Sequence, residues 1–311
     1  MLLVFEKRER REDFRRIVLS KRFLCGIIMM NISELFKNGG ITMIAENYHT
    51  HTYRCHHASG EDREYVEAAI KAGFRVLGFS DHVPYPFDHG YCSSIRMSLG
   101  ETEGYVQSLL DLRQEYRRDI DIKIGFEAEY FPKHFAKLLA HLSDYPIDYL
   151  ILGQHFSMDE SSGIYFGRAT TDPSILTAYV DQVIEGMETG AFTYLAHPDL
   201  INFPRVEDDG TTRPNTRYLS EMRRLCEAAK RLSLPLEINQ LGYCDRRNYP
   251  SDLFFSIAGE IGNDVLIGCD AHHPKQLLDA YSIHGAEQLA KRCGVSLMDH
   301  LTLRSPFDAM K

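Results

Sequence analysis

Seven short apolar runs in this 311-residue chain close on, or carry near their end, a histidine or a carboxylate, and this shared punctuation constrains the fold more than any other feature. The runs are 46–52, 76–82, 122–130, 149–156, 193–199, 235–239 and 265–272. Each is rich in β-branched, aromatic or leucine residues and is bounded by Gly, Pro, Asn or Asp, which is strand chemistry. One strand stopping on a metal-type ligand is ordinary. Seven in succession imply a shared site, and the chain is expected to enclose a metal cluster.

Helical stretches separate the runs. Ser59 is placed to cap a helix whose one-face apolar residues are Val66, Ala69, Ile70 and Gly73, with Asp62 at the capping-box position. Further helices are predicted over 105–118, 132–142, 173–189, 218–232, 251–261 and 274–291. Alternating strand and helix requires a parallel sheet, because each helix carries the chain back to the starting edge. Seven such repeats over about 250 residues fit a closed (β/α) barrel better than an open doubly wound sheet. In a barrel the C-terminal strand ends face one mouth, and here those ends hold the His, Asp and Glu residues. The first βα turn shows no GxGxxG or Walker-type loop, so a nucleotide-cofactor fold has little support.

Composition fits one large domain: 44% hydrophobic and 25% charged residues allow a substantial core. Seven cysteines with no CxxC pair read as reduced thiols, which points to a cytoplasmic location. Cys55 and Cys269 lie beside candidate ligands and are expected to pack rather than ligate. The first 42 residues carry +4 and leave −13 for the rest of a chain whose total is −9. Their apolar stretch, 23–32, is too short to span a bilayer, and its charged lead does not resemble a signal peptide. We expect a poorly packed extension over 1–42, consistent with an upstream start codon, and a folded domain over 43–311.

A lone histidine is usually an ordinary hydrogen-bonding residue, and His89, His134, His141, His284 and His300 are read so. His49 and His51 differ, because alternate strand residues share a face and stand about 6.6 Å apart. Asp270 and His272 repeat that spacing on the last strand, which barrel closure sets beside the first. Glu127 and Glu129 also share a face, and a carboxylate in a dry barrel mouth needs a compensating cation. Glu127 is the better metal candidate, and Glu129 is expected to contact substrate. His155 and His197 each follow a clean apolar run.

The ordered motifs His49-Thr-His51 with His57, Ser80-Asp81-His82, Gly125-Phe-Glu127, Gly153-Gln-His155, Ala196-His197-Pro198 and Cys269-Asp270-Ala-His272 resemble the polymerase-and-histidinol-phosphatase (PHP) family of metal-dependent phosphoesterases. The stretches around Ser80, Arg96 and Glu237-Ile-Asn239 look most like its histidinol-phosphatase branch. The resemblance implies a distorted (β/α)7 TIM-like barrel with a trinuclear site. Carried over by position, His49, His51, Glu127 and Asp270 would hold one ion, Glu127, His155 and His197 a second, and His57, His82 and His272 a third. His57 is preferred to His56, and His273 is a bystander. Mixed nitrogen and oxygen ligation permits three divalent ions of zinc, iron or manganese.

Clustered divalent ions lower the pKa of water and neutralise phosphoryl oxygens, which suits hydrolysis of a small phosphorylated metabolite without a covalent enzyme intermediate. The branch resemblance makes that metabolite histidinol phosphate, with Glu127, Asp270 and His272 as the catalytic residues. Arginines suit phosphate, because a guanidinium offers a planar fork to two oxygens. Arg96 after the second run and Arg168 after the fourth are candidates, and Arg246 and Arg247 follow the sixth. Glu237 is open to two roles, supporting a ligand from behind or meeting the substrate amine. A nucleic-acid substrate has less support, because a barrel of charge −13 offers no basic track. No membrane partner is expected, and a non-catalytic barrel is disfavoured because all nine ligand types are present.

Overall fold

The computed structural model describes residues 44–308, so the expected extension over 1–42 lies outside the described residues. Eight parallel strands follow one another around the sheet in chain order. They are β1 (Glu46–Asn47), β2 (Val76–His82), β3 (Asp121–Ala128), β4 (Tyr149–Leu152), β5 (Tyr194–Leu195), β6 (Leu236–Asn239), β7 (Asp264–Gly268) and β8 (Ser296–Leu297). Strands β2, β4 and β6 are buried along their whole length, as expected of parallel strands covered on both faces.

The covering helices are α1 (Asp62–Ala72), α2 (Thr102–Glu115), α3 (Pro132–Leu142), α4 (Pro173–Glu188), α5 (Thr216–Arg231), α6 (Gln240–Cys244), α7 (Asp252–Ile261) and α8 (Ala280–Cys293). Most lie where the apolar periodicity placed them. Helix α1 is capped differently from expectation: Glu61 is the N-cap and Glu64 reciprocates, while the Ser59 amide donates to the His272 carbonyl at 2.9 Å. Ser59 is held by the last ligand-bearing loop and cannot cap. The predicted 274–291 helix is divided into a 3₁₀ turn, Pro274–Leu278, and α8, because Asp279 leaves helical geometry to cap the second segment.

The sheet closes in two different ways. At the mouth, Thr50 and Ala271 form a parallel bridge, with the His51 amide 2.9 Å from the Ala271 carbonyl. At the opposite end β8 pairs with the start of β7, and Glu46 accepts from the Leu301 amide at 3.2 Å and lies 2.8 Å from His300 Nδ1. Leu301 joins Tyr48, Val76, Tyr149, Ile151, Tyr194 and Leu266 in a small apolar cluster, separate from the larger one between sheet and helices. The Tyr149 hydroxyl donates to the Tyr48 and Phe79 carbonyls at 2.8 and 3.0 Å. Among the described residues no helix is long and apolar enough to cross a membrane.

Regular strand ends sooner than the apolar runs suggest. β1 stops at Asn47, β5 at Leu195 and β7 at Gly268, so His49, His51, His197 and Asp270 sit on irregular backbone just beyond. His197 and Asp270 adopt left-handed φ of 30° and 50°. Such a conformation costs about 1–3 kcal/mol at a non-glycine residue, and surrounding contacts must hold it. Leaving the pleat turns these side chains toward a common centre, which alternation along a straight strand cannot do.

Candidate metal centre

The register of β2 on β3 sets His82 directly beside Glu127, and Glu127 lies at the middle of the site. Its Oε1 is 2.7 Å from His197 Nε2 and 3.6 Å from His155 Nε2. Its Oε2 is 3.1 Å from His82 Nδ1, 3.4 Å from His51 Nε2 and 3.7 Å from His49 Nε2. Asp270 Oδ1 approaches from the closing seam, 3.1 Å from His51 Nε2, and 3.4 Å from both His49 Nε2 and His272 Nδ1. The His57 ring lies 5.3 Å from His82 and 4.8 Å from His272. All nine side chains named from the sequence therefore meet in one place. His56 caps the preceding 3₁₀ turn and is exposed, and exposed His273 caps the Pro274 turn.

Buried carboxylates support the ligand-type side chains from behind. Glu237, fully buried, lies 2.7 Å from His49 Nδ1 and accepts from the His197 amide at 2.9 Å and Asn239 Nδ2 at 3.0 Å. This settles its place: behind His49, away from the cavity. Asp81 lies 3.4 Å from His51 Nδ1 and accepts from Thr52. Glu129 Oε1 lies 3.3 Å from His155 Nδ1. A carboxylate on one ring nitrogen fixes the tautomer and leaves the other nitrogen's lone pair toward the centre. Two glycines make room: a Cβ at Gly153 would overlap the Glu127 carboxylate, and one at Gly268 would overlap that of Glu237.

The buried imidazoles and carboxylates shift one another's protonation strongly. Burial disfavours the His49 cation, yet Glu237, then Asp270 and Glu127, outweigh it and raise the pKa to about 10. For His51 burial is likewise overcome, by Asp270 and Asp81, and the pKa is raised. Burial, then His51, lowers His272 to about 3, and burial holds His82 well below its usual value. Burial alone would raise Glu127 and Asp270, but neighbouring imidazoles keep both carboxyls ionised.

The donor set fits divalent metal on several observations. His82 Nδ1 and His197 Nδ1 are buried without a hydrogen-bond partner, although His82 Nδ1 is 3.1 Å from a carboxylate oxygen. His49 Nε2 and His51 Nε2 face each other at 3.2 Å, both close to Asp270 Oδ1. At His82, close approach to a carboxylate without hydrogen-bond alignment is suited to nitrogen and oxygen lone pairs sharing a cation. Three groups of donors lie within ligand reach of one another: His49, His51 and Glu127; His82, Glu127 and His155; and His57, His82 and His272. A fourth group, His51, Cys55 and His272, brings in a thiol expected only to pack. Burial raises that thiol's pKa, but hydrogen bonds with His51 and His57 leave it below its ordinary value.

The cluster opens onto a cavity of about 520 Å³. Its outer wall is made by Ile95, Phe156, Tyr165, Leu241, Tyr249 and Arg247. The arginine expectations need correction here. Arg96 is 2% exposed and its guanidinium is already engaged: Nε donates to Glu160 at 2.7 Å, and its two terminal nitrogens grip Glu129 at 2.9 and 3.1 Å. Its fork is occupied by Glu129, and neither Arg96 nor Glu129, which is also held by His155, lines the cavity. Arg168 and Arg246 are exposed and do not line the cavity. Arg247 does, steadied by the Tyr249 hydroxyl at 2.8 Å and Asp245 at 3.0 Å. Tyr165 and Tyr249 also line it, and the sequence gives no sign of this, because an aromatic residue in a loop carries no periodic signal.

The other histidines lie elsewhere: His300 beside Glu46, His141 beside Thr102 and His284 beside Glu287. Among the described residues the cysteines are free thiols.

Comparison with known proteins agrees with this geometry. A "Probable histidinol-phosphatase" from Deinococcus radiodurans is 27% identical over 246 residues, covering 74% of this chain and 86% of that protein. The histidinol-phosphatase of Bacillus subtilis is 32% identical over 120 residues, 37% of this chain and 45% of that protein. The crystal structure of histidinol phosphate phosphatase from Lactococcus lactis subsp. lactis, complexed with zinc, L-histidinol and phosphate, shares the fold with a TM-score of 0.64 at 20% identity, covering 85% of this chain and 98% of that one. The PHP domain model matches residues 47–241, more than half of the sequence, and the chain belongs to the PHP domain family.

Proposed function

We propose that this protein is a metal-dependent phosphomonoesterase that hydrolyses L-histidinol phosphate to L-histidinol and phosphate, a step of histidine biosynthesis carried out in the cytoplasm. The observation that carries the reading is the gathering of five imidazoles, those of His49, His51, His82, His155 and His197, around Glu127, with Asp270, His57 and His272 completing the cluster in a cavity that Arg247 also lines. The names of the Deinococcus radiodurans and Bacillus subtilis relatives support the substrate. The family barrel is taken to span residues 43–311, with 1–42 outside it.

His49, His51, Glu127 and Asp270 would hold one ion, Glu127, His155 and His197 a second, and His57, His82 and His272 a third, with zinc, iron or manganese suiting such ligands. When bound, these cations supply Lewis-acid charge to the phosphoryl oxygens and a nucleophilic water near neutral pH.

The chain's own residues do the rest. Glu237 and Glu129 fix the tautomers of His49 and His155, so that the inward nitrogens present lone pairs. Arg247, rather than Arg96, Arg168 or Arg246, is placed to take two phosphoryl oxygens. Asp270 and His272, adjoining the cavity, complete the set of groups nearest the scissile bond with Glu127. Water exclusion comes from Ile95, Phe156 and Leu241 on the outer wall.

Phosphate release from L-histidinol phosphate, with zinc, iron or manganese added in turn to metal-stripped protein, tests the reading. Turnover restored by metal supports it. Absence of turnover with every metal, while another small phosphate ester is cleaved, replaces the substrate.

A further inference from the structure

The chain between His155 and Phe166 is a hairpin that rises directly from the site. The Phe166 amide donates to the His155 carbonyl at 2.8 Å, Ser157 donates to Ile164 at 3.0 Å, and Phe156 and Tyr165 form an antiparallel bridge. The Phe156 and Tyr165 rings meet at 5.4 Å, and both line the cavity. Tyr165 is nevertheless 44% exposed. An aromatic ring on a cavity wall with that much surface uncovered has apolar area left to bury against a ligand.

The tip of the hairpin is anchored by one carboxylate. Glu160 accepts from the Tyr91 hydroxyl at 3.0 Å, Ser93 Oγ at 2.7 Å and Arg96 Nε at 2.7 Å, and its side chain is only 4% exposed. Arg96 then holds Glu129, which supports His155 at the hairpin's base. One buried guanidinium thus ties the tip of the hairpin to the strand end from which the site is built. A lysine would lose the two-pronged grip on Glu129, because an ammonium is a point charge without the planar fork.

We propose that this hairpin selects the leaving group: Tyr165 stacks on a flat ring in the alcohol half of the phosphate ester, and Glu160 seats the hairpin through Arg96. The proposal deepens the phosphomonoesterase reading and takes from it only that a phosphoryl group sits on the metal side. Its ligand class is phosphate esters of alcohols that carry an aromatic ring or heterocycle. Tyr165 is the specificity residue, and Glu160 and Arg96 are positioning residues.

Binding of benzylphosphonate and ethylphosphonate to the metal-loaded protein, measured by calorimetry, tests this without requiring turnover. The wild-type protein should prefer the benzyl compound, and Tyr165→Ala should erode that preference about tenfold, the scale of an aromatic contact together with its buried area. Tyr165→Phe keeps the ring and should keep the preference. Glu160→Gln should weaken it by a smaller factor and speed hydrogen exchange across residues 156–165. A preference unchanged in Tyr165→Ala, parallel losses for both compounds, or binding of neither overturns the role of Tyr165. Exchange and preference both at wild-type levels in Glu160→Gln overturn the role of Glu160. Failure to hydrolyse L-histidinol phosphate, with the ring preference present, counts against the substrate named above and leaves this inference standing.

Discussion

Gly153 lies so close to Glu127 that any side chain at position 153 would occupy the space of the Glu127 carboxylate. Glu127 is in β3 and Gly153 directly follows β4, and the register of the two strands pairs Glu127 with Ile151. Glycine is needed at this position for clearance rather than for a turn.

Gly153→Ala should therefore disable the site while sparing the barrel. The added methyl group pushes the Glu127 carboxylate aside, and a displacement near 1 Å at a catalytic centre costs on the order of 100-fold in rate. Metal content by elemental analysis should fall together with phosphatase activity, while far-ultraviolet circular dichroism stays as in wild type. Full activity with full metal content would show that the carboxylate is not needed where it stands.

Glu237→Gln keeps shape and removes charge behind His49. Loss of such a supporting carboxylate typically weakens metal affinity about 10–100-fold. Competition with a chelator of known affinity measures this. The effect should appear in affinity first, with activity recovering as metal is raised.

Arg247→Ala should raise KM for a phosphomonoester with a smaller change in kcat, because a fork in the role proposed for it would bind phosphoryl oxygens in ground and transition states alike. Arg247→Lys should not restore it. The same pair of substitutions at Arg168 or Arg246, outside the cavity, should leave KM near wild type.

The pH dependence follows from His49. Burial opposes its charge, but Glu237, Asp270 and Glu127 raise its folded pKa to about 10, above its ordinary value of 6.5. In the metal-free protein the protonated form thus stabilises the fold fully below pH 6.5, and that contribution is lost as pH rises through 10. Metal must displace that proton, so its affinity should increase over the same window. Calorimetry in two buffers of different ionisation enthalpy should show protons released on binding at pH 7.5. Denaturant melts of stripped protein should show stability falling from pH 7 to pH 10.

The barrel was legible because apolar runs mark its strands, and eight of the nine inward groups lie within those runs; His57 lies outside them and is named only by the family resemblance. What escaped reading depends on partners far away in sequence. Arg96 looks like a phosphate fork until Glu129 and Glu160 are seen on either side of it. Ser59 looks like a helix cap until the chain near His272 takes its amide. The two-residue strand β8 and the five-residue helix α6 are too short for any periodicity to register. Left-handed backbone at His197 and Asp270 is invisible in residue type, since neither is glycine.

The bridge from Thr50 to Ala271 also governs when this protein can become functional during synthesis. His49 leaves the ribosome long before His272, by roughly 10–45 s at ordinary elongation rates. Until the seventh strand emerges, the early histidines lack Asp270 and His272 as neighbours, and the first strand has an open edge. A nascent chain is therefore a poor competitor for scarce cations, and loading is deferred to the moment at which the two distant ends of the sheet find each other.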